Sequence, residues 1–272
     1  MKRTERVGAM IKILSGAPNK IYSLQYFCDL FGAAKSSISE DIQAASAAIS
    51  FTGTGYLQTV SGAKGGVKFV PDMTLQQVQA MQDEFCRRLK DPTRLLGGNF
   101  LYTSDIFSDP AFVMEMAAAF AKKFKDCDAD YVATVETKGI PLASSVAYLL
   151  NVPLVVIRRE AKISEGSTVS INYFSGSYDR IQKMSMSKRA IASGSKILII
   201  DDYMRGGGSI AGIQEMIGEF NCQVAGIGIA FVSLKPEKKR VSPYTCLVYG
   251  GDVDEDSKIM EIFPNPDIYL SE

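Results

Sequence analysis

Residues 197–209 read ILIIDDYMRGGGS: four apolar residues, two adjacent acids, then three glycines closed by a hydroxyl. A run that is apolar at every position rather than at alternate ones is a strand buried on both faces, as in a parallel sheet covered by helices on both sides. In such open sheets ligands bind beyond the carboxyl ends of the strands, where Asp201 and Asp202 are expected to fall. Two acids there can accept hydrogen bonds from vicinal hydroxyls such as those of a ribose. Gly206, Gly207 and Gly208 leave backbone amides free to wrap a phosphate, and a helix starting at Ser209 adds the positive end of its dipole. The stretch is suited to a ribose 5-phosphate.

Two rival motifs fail on specifics. A Walker loop places a lysine after its last glycine, and none follows here. Gly206-x-Gly208-x-x-Ala211 fits the loose dinucleotide pattern, but the acid that holds a ribose about 20 residues later is missing from GIGIAFVS (226–233).

The surroundings support a parallel sheet. From Asp109-Pro110 onward the sequence predicts a capped helix over 110–125 and a strand over YVATV (131–135). A helix near 142–150 and a strand over LVVIR (154–158) follow. A hairpin-like stretch over 167–189 precedes the strand KILII (196–200), a helix from Ser209 and a strand over VAGIGIAFVS (224–233). VETKGIP (135–141) follows a strand as a loop whose Thr137, Lys138 and Gly139 can offer donors to an anion.

The first 70 residues have a different pattern. They hold eight Lys/Arg against four Asp/Glu, a surplus of four, which favours a polyanionic partner. Val7, Met10, Ile11 and Leu14 have helical spacing. Ser23 can cap a helix over 24–31 with Leu24, Phe27, Leu30 and Phe31 on one side, and Gly32 permits a tight turn into a third helix. There Ser37 and Glu40 have capping-box spacing, and Ile38, Ile42, Ala45 and Ile49 form a stripe. GYLQTVSGAKGGVKFVP (55–71) alternates as a β-hairpin, and the sum is a winged helix-turn-helix. Lys35, Ser36, Ser37 and Ser39 at the start of the third helix, with Lys64 and Lys68 on the wing, are the expected DNA contacts. Leu75, Val78, Met81, Phe85 and Leu89 predict an amphipathic helix that joins domains or packs against a second subunit. The expected division is a DNA-binding domain at 1–73 and a ligand-binding domain, with that helix, at 74–272.

With no histidine in 272 residues, Cys/His zinc sites, Ser-His-Asp triads and histidine acid–base schemes are excluded. Five widely spaced cysteines fit buried thiols in a reducing compartment. No apolar run approaches a membrane span and the first residues lack a signal-peptide core, so a cytoplasmic location and no membrane partner are expected.

The 197–209 segment resembles the phosphoribosyl-pyrophosphate (PRPP) motif of type I phosphoribosyltransferases, departing from it at Gly206 and Ser209. Residues 135–141 resemble that fold's pyrophosphate loop, and 167–189 its covering hairpin, in which Lys188 and Arg189 are both open as ligand contacts. AKSSISEDI (34–42), SGAKGGVKF (61–69), ETKGIPLA (136–143) and ILIIDDYMRGGGS together resemble the PurR family of Gram-positive bacteria. That resemblance implies an α/β chain with a winged helix before a phosphoribosyltransferase-like domain. It further implies a homodimer on double-stranded operator DNA that represses purine biosynthesis genes. PRPP, with Mg²⁺ as its companion ion and no side-chain metal ligand assigned, would be the effector that weakens repression. The alarmone ppGpp would compete for the same pocket, so the implied effector site is Thr137, Lys138, Gly139 and the run Asp201, Asp202, Tyr203, Met204, Arg205, Gly206, Gly207, Gly208, Ser209, with Tyr203 and Arg205 near the alarmone's base and diphosphates. Residues alone leave two classes: a sensor without catalysis, which the appended DNA-binding domain favours, or an active purine phosphoribosyltransferase.

Overall fold

The computed structural model describes residues 1–62, 65–96, 100–161, 163–175, 180–254 and 259–269, so Lys64 lies outside the described residues. The chain forms two units, Met1–Leu75 with Tyr148–Asn151, and Gln76–Ala147 with Val152–Glu272.

The first unit holds α1 (Arg3–Ser15), α2 (Leu24–Phe31), α3 (Lys35–Thr52) and the antiparallel hairpin β1 (Gly55–Val60) and β2 (Gly66–Pro71). Helix α2 begins where the Ser23 hydroxyl accepts the Tyr26 N–H, and it ends at Gly32, whose φ of 60° is the left-handed conformation that glycine adopts freely. Met10, Leu14, Phe27, Ile38, Ala45, Ile49, Val67 and Phe69 close its core. Tyr22 exchanges two backbone hydrogen bonds with Val67, each 2.9 Å, which ties the α1–α2 connection to the wing. Asp41, 1% exposed, sits among these apolar groups and is paired with the Arg6 guanidinium at 2.6 Å, joining α3 to α1.

Two expectations fail here. Ser37 is not an N-cap: α3 starts at Lys35 with Ala34 in the capping position and no side-chain cap, because the Gly32 turn delivers the chain into the helix three residues earlier. Leu30 is 50% exposed, since one turn of α2 beyond Phe27 already passes the edge of this small core.

The second unit is built on a six-stranded sheet in the order β12-β11-β10-β9-β5-β6. Its strands are β5 (Tyr131–Val135), β6 (Leu154–Ile157), β9 (Lys196–Met204), β10 (Gln223–Ser233), β11 (Thr245–Asp254) and β12 (Ile259–Pro264). All neighbours are parallel except β12, which runs antiparallel to β11. The last two strands and the short pair β3 (Leu95–Leu96) and β4 (Phe100–Leu101) had no counterpart in the sequence reading. Around the sheet lie α4 (Leu75–Leu89), α5 (Ser104–Phe107), α6 (Pro110–Lys123), α7 (Ile140–Leu150) and α8 (Gly208–Glu219), with the antiparallel hairpin β7 (Thr168–Ser175) and β8 (Arg180–Ser187).

Every residue of the ILII run is buried because each face of β9 meets a helix. Ile197 and Ile199 belong to one cluster with Ile213 and Met216 of α8. Leu198 and Ile200 instead flank Gly226 and Gly228 of β10, onto which the Phe124 and Phe120 rings fold from the α6 end. Asp109 caps α6 by accepting the Ala111 and Phe112 N–H groups. The α4 helix packs within this unit. Its buried Gln82 donates to the carbonyls of Leu247 and Asn265 at 2.7 and 2.8 Å, whereas Leu75, expected on the apolar stripe, is 69% exposed at the helix start.

Candidate effector site

The two acids lie inside β9, not beyond its end as expected, because the strand continues to Met204. Pairing with β10 holds Asp201 opposite Ile229 and Tyr203 opposite Phe231. On the other side β5 stops pairing at Ala133–Ile199 and peels away, so the edge of β9 from Asp201 onward is left to the loop that follows β5. Divergence of two parallel neighbours is what opens a ligand crevice at the carboxyl edge of such a sheet.

That loop is Glu136 to Gly139, and it is held from two sides. The Glu136 carboxylate accepts the Arg159 N–H at 2.7 Å and pairs with the Arg158 guanidinium at 3.4 Å, while its own N–H donates to the Ile157 carbonyl. Gly139 is packed so closely on Asp201 that a Cβ there would collide with the Asp201 Oδ1 and stand 2.6 Å from the Thr134 hydroxyl. Only glycine brings this loop against β9. Thr137 and Lys138 are exposed at its tip.

Asp201 is 4% exposed and accepts the Asp202 N–H at 3.0 Å; Asp202 is half-buried. Burial, and next the charge of Asp202, raise the Asp201 carboxyl well above the ordinary carboxylate value. Burial also raises Asp202, although its hydrogen bond with Asp201 and the positive charge of Lys138 offset part of that. A buried acid pair of this kind takes up hydroxyl donors or positive charge favourably, because either relieves the mutual repulsion.

After Met204 the chain turns into α8. The helix starts at Gly208, one residue before the expected Ser209, and its N-cap is Gly207 with a φ of 81°. A left-handed residue in that place costs a side-chain-bearing residue more than glycine. Residues 203–210 line a small concavity at the helix start, with Arg205 exposed beside it. Met204 borders this concavity too, but it is 2% exposed and belongs to the core cluster.

These parts surround one cavity of about 430 Å³. Of the expected residues, Thr137, Lys138, Asp201, Asp202, Tyr203, Arg205 and Ser209 line it. Gly206, Gly207 and Gly208 border the adjoining concavity instead. The rest of the lining lies outside the expected residues: Thr103, Glu136 and Arg159 add polar groups, while Phe100, Leu101 and Phe107 from the β4–α5 region and Val135, Phe231 and Met260 from the sheet form an apolar wall. The Tyr203 and Phe231 rings lie 5.2 Å apart and form one aromatic surface. Aromatic character at 203 and 231 was visible in the sequence, but their adjacency depends on the β9–β10 register. Lys188 and Arg189 do not line the cavity; Arg159, at the end of β6, does.

In the first unit Lys35, Ser36 and Ser39 are exposed on the first turns of α3, and Ser37 is half-buried. The Ser39 hydroxyl donates to the Lys35 carbonyl, and the Lys68 ammonium donates to Asn19 Oδ1 at 3.0 Å.

Comparison with known proteins agrees with this two-part architecture. Residues 2–71 match the family described as bacterial purine repressor, N-terminal, and residues 103–258 match the phosphoribosyl transferase domain family. The chain is 39% identical over 263 residues to a probable purine biosynthesis transcriptional regulator, PurR, of Streptococcus pneumoniae, covering 96% of each. It is 40% identical to the purine biosynthesis transcriptional repressor PurR of Bacillus subtilis, covering 96% of this chain and 92% of that one. A Lactococcus lactis relative, 34% identical over 96% of this chain and 97% of its own length, is named a purine biosynthesis transcriptional activator. Among solved structures, the adenine phosphoribosyltransferase of Thermoanaerobacter pseudethanolicus superposes with a TM-score of 0.51 at 21% identity, covering 60% of this chain and 95% of that one, which places the second unit in the phosphoribosyltransferase fold. With a bacterial purine-repressor N-terminal region, a phosphoribosyltransferase-fold second unit and relatives of this identity over nearly its whole length, the chain belongs to the PurR family.

Proposed function

We propose that this protein is a DNA-binding transcriptional regulator of purine biosynthesis genes, acting as a repressor whose hold on operator DNA weakens when its second unit binds PRPP. The carrying observation is the convergence of the acid pair, the start of α8 and the Thr137–Lys138 tip on one cavity. In this reading Asp201 and Asp202 face the ribose hydroxyls. The amides of Gly206–Ser209 take the 5-phosphate, and Thr137, Lys138 and Gly139 take the diphosphate. Mg²⁺ enters with the diphosphate rather than in a protein cage. No group of three or more acid, cysteine or histidine side chains that could hold a metal occurs among the described residues. The Tyr203–Phe231 surface is more than PRPP needs. It suits a nucleotide's base, which supports ppGpp as a competitor with its diphosphates near Arg205.

The DNA-binding part is residues 1–73, with Lys35, Ser36, Ser37 and Ser39 at the start of α3 and Lys64 and Lys68 on the wing as its contacts; residues 74–272 form the effector part. A homodimer presents two such helices to two half-sites. A cytoplasmic location follows from DNA as the partner, and no described helix is long and apolar enough to cross a membrane.

The second reading, an active phosphoribosyltransferase, draws on the fold shared with the Thermoanaerobacter enzyme. One experiment separates the two. The protein is titrated with PRPP and Mg²⁺ while bound to labelled DNA from the control region of its purine genes, and the same mixture with each purine base is assayed for nucleotide and pyrophosphate. Release of DNA without turnover supports the regulator. Turnover on the order of 1 s⁻¹ or faster supports the enzyme. DNA that stays bound at every PRPP concentration overturns the effector assignment.

A further inference from the structure

The loop after β10, residues 234–241, lies against the glycines at the start of α8. The Arg240 N–H donates to the Gly206 carbonyl at 3.0 Å. A Cβ on Gly207 would stand 3.2 Å from the Val241 side chain and 3.4 Å from the Arg240 nitrogen. Val241 is 4% exposed and belongs to the core cluster that contains Met204 and Ile210, so this end of the loop is anchored in the same core as the glycine turn. The Arg240 side chain runs elsewhere, with its guanidinium 4.6 Å from the centre of the Phe174 ring on β7. Phe174 pairs with Ile181 across the β7–β8 hairpin, whose base is tied to the end of β6 by two backbone bonds between Arg158 and Ser185.

We propose that Arg240 is a positioning residue of the effector site, which sets the glycine turn through its amide and couples it to the β7–β8 hairpin through its guanidinium. This deepens the effector reading above and rests on it for the identity of the ligand. In a planar trans peptide the C=O and the next N–H point in opposite directions. With the Gly206 carbonyl held by Arg240, the Gly207 N–H is turned away from residues 234–241, free for an anion at the start of α8. A guanidinium over an aromatic face is attracted by the electron-rich face of the ring's quadrupole. The contact therefore links the segment that would meet a phosphate to β7, and a shift in either is felt by the other.

The test uses Arg240→Gln, Arg240→Lys, Phe174→Leu and the Arg240→Gln/Phe174→Leu double variant in the full chain. Thermal midpoints identify any variant that fails to fold. Hydrogen exchange of the ligand-free proteins is read at residues 168–175 and 206–209. Arg240→Gln and Phe174→Leu are each expected to speed exchange in both segments, Arg240→Lys less so, with amides of α3 and β11 unchanged. PRPP affinity by calorimetry is expected to fall about 2- to 5-fold in each single variant and no further in the double variant, the non-additivity of one shared contact. Unchanged exchange at 206–209 in a folded Arg240→Gln protein overturns the coupling, as do additive losses in the double variant. If wild type binds no PRPP, the effector assignment fails, and the exchange measurements alone decide whether Arg240 couples the two segments.

Discussion

Replacing Asp202 by Asn is the sharpest probe of the effector site, because it preserves the volume and one acceptor while removing the charge. Asp202 is the more open of the two acids and has Lys138 across the cavity, so the change deletes charge-assisted bonding without opening a hole. Hydrogen bonds to a charged group contribute about 1.5–3 kcal/mol, so PRPP affinity should drop by about 10- to 150-fold. A ligand at 100 times its dissociation constant stabilises its protein by about 2.7 kcal/mol. At that same PRPP concentration, a variant that binds 50-fold more weakly gains only about 0.6 kcal/mol. For a unit of about 200 residues the wild-type thermal midpoint should rise by roughly 5–10 °C and that of the variant by about 1–3 °C. In parallel, fluorescence anisotropy on labelled operator should show Asp202→Asn binding DNA as wild type does without PRPP, and staying bound at PRPP concentrations that release wild type. An effector shifts an equilibrium only by its differential affinity for the two states, so weaker binding must carry through to weaker release. If the variant is displaced by PRPP as readily as wild type, Asp202 does not hold the effector, and the reasoning from burial and charge fails.

Asp201→Asn should raise stability at neutral pH. The raised carboxyl keeps in the folded chain a proton that the unfolded chain releases, so its contribution is full below the unfolded value and is lost as pH rises through the folded one. Denaturant titrations across that range should show the wild type losing stability with rising pH more steeply than Asp201→Asn, and equal slopes would contradict the assignment. Gly139→Ala should cost about 1–3 kcal/mol by collision with Asp201 and Thr134, and weaken PRPP binding while leaving operator affinity intact. Asp41→Ala should leave Arg6 unpaired, cost about 3–5 kcal/mol and abolish operator binding, read by chemical denaturation and anisotropy. Lys35→Ala should reduce the slope of operator affinity against salt by about one unit, and an unchanged slope would remove Lys35 from the phosphate contacts.

Local chemistry was enough to read much of this protein. Ser23 and Gly32 bound α2 at the residues expected, since a cap and a left-handed turn depend only on nearby atoms. The YVATV strand appears at its expected limits and ILII is buried throughout, because an unbroken apolar run has few alternatives to the interior of a covered sheet. The acids, glycines and hydroxyl of residues 201–209 could be picked out as one group because they are adjacent in the chain, and they border one cavity and the concavity beside it. What depended on distant partners was not legible. Ser37 has the spacing of a cap, but the preceding turn started the helix at Lys35. Leu30 and Leu75 have core spacing, but periodicity does not say how far the opposing surface extends. Strands β11 and β12, outside any βα repeat, took their place by pairing with β10 and with each other. The aromatic wall of the cavity joins Phe100, Tyr203 and Phe231 from three separate elements, and Arg240 reaches both Gly206 and Phe174. A sequence specifies which groups can bond, whereas strand order and register decide which of them meet, because those contacts close only when residues far apart in the chain are brought within a few ångströms.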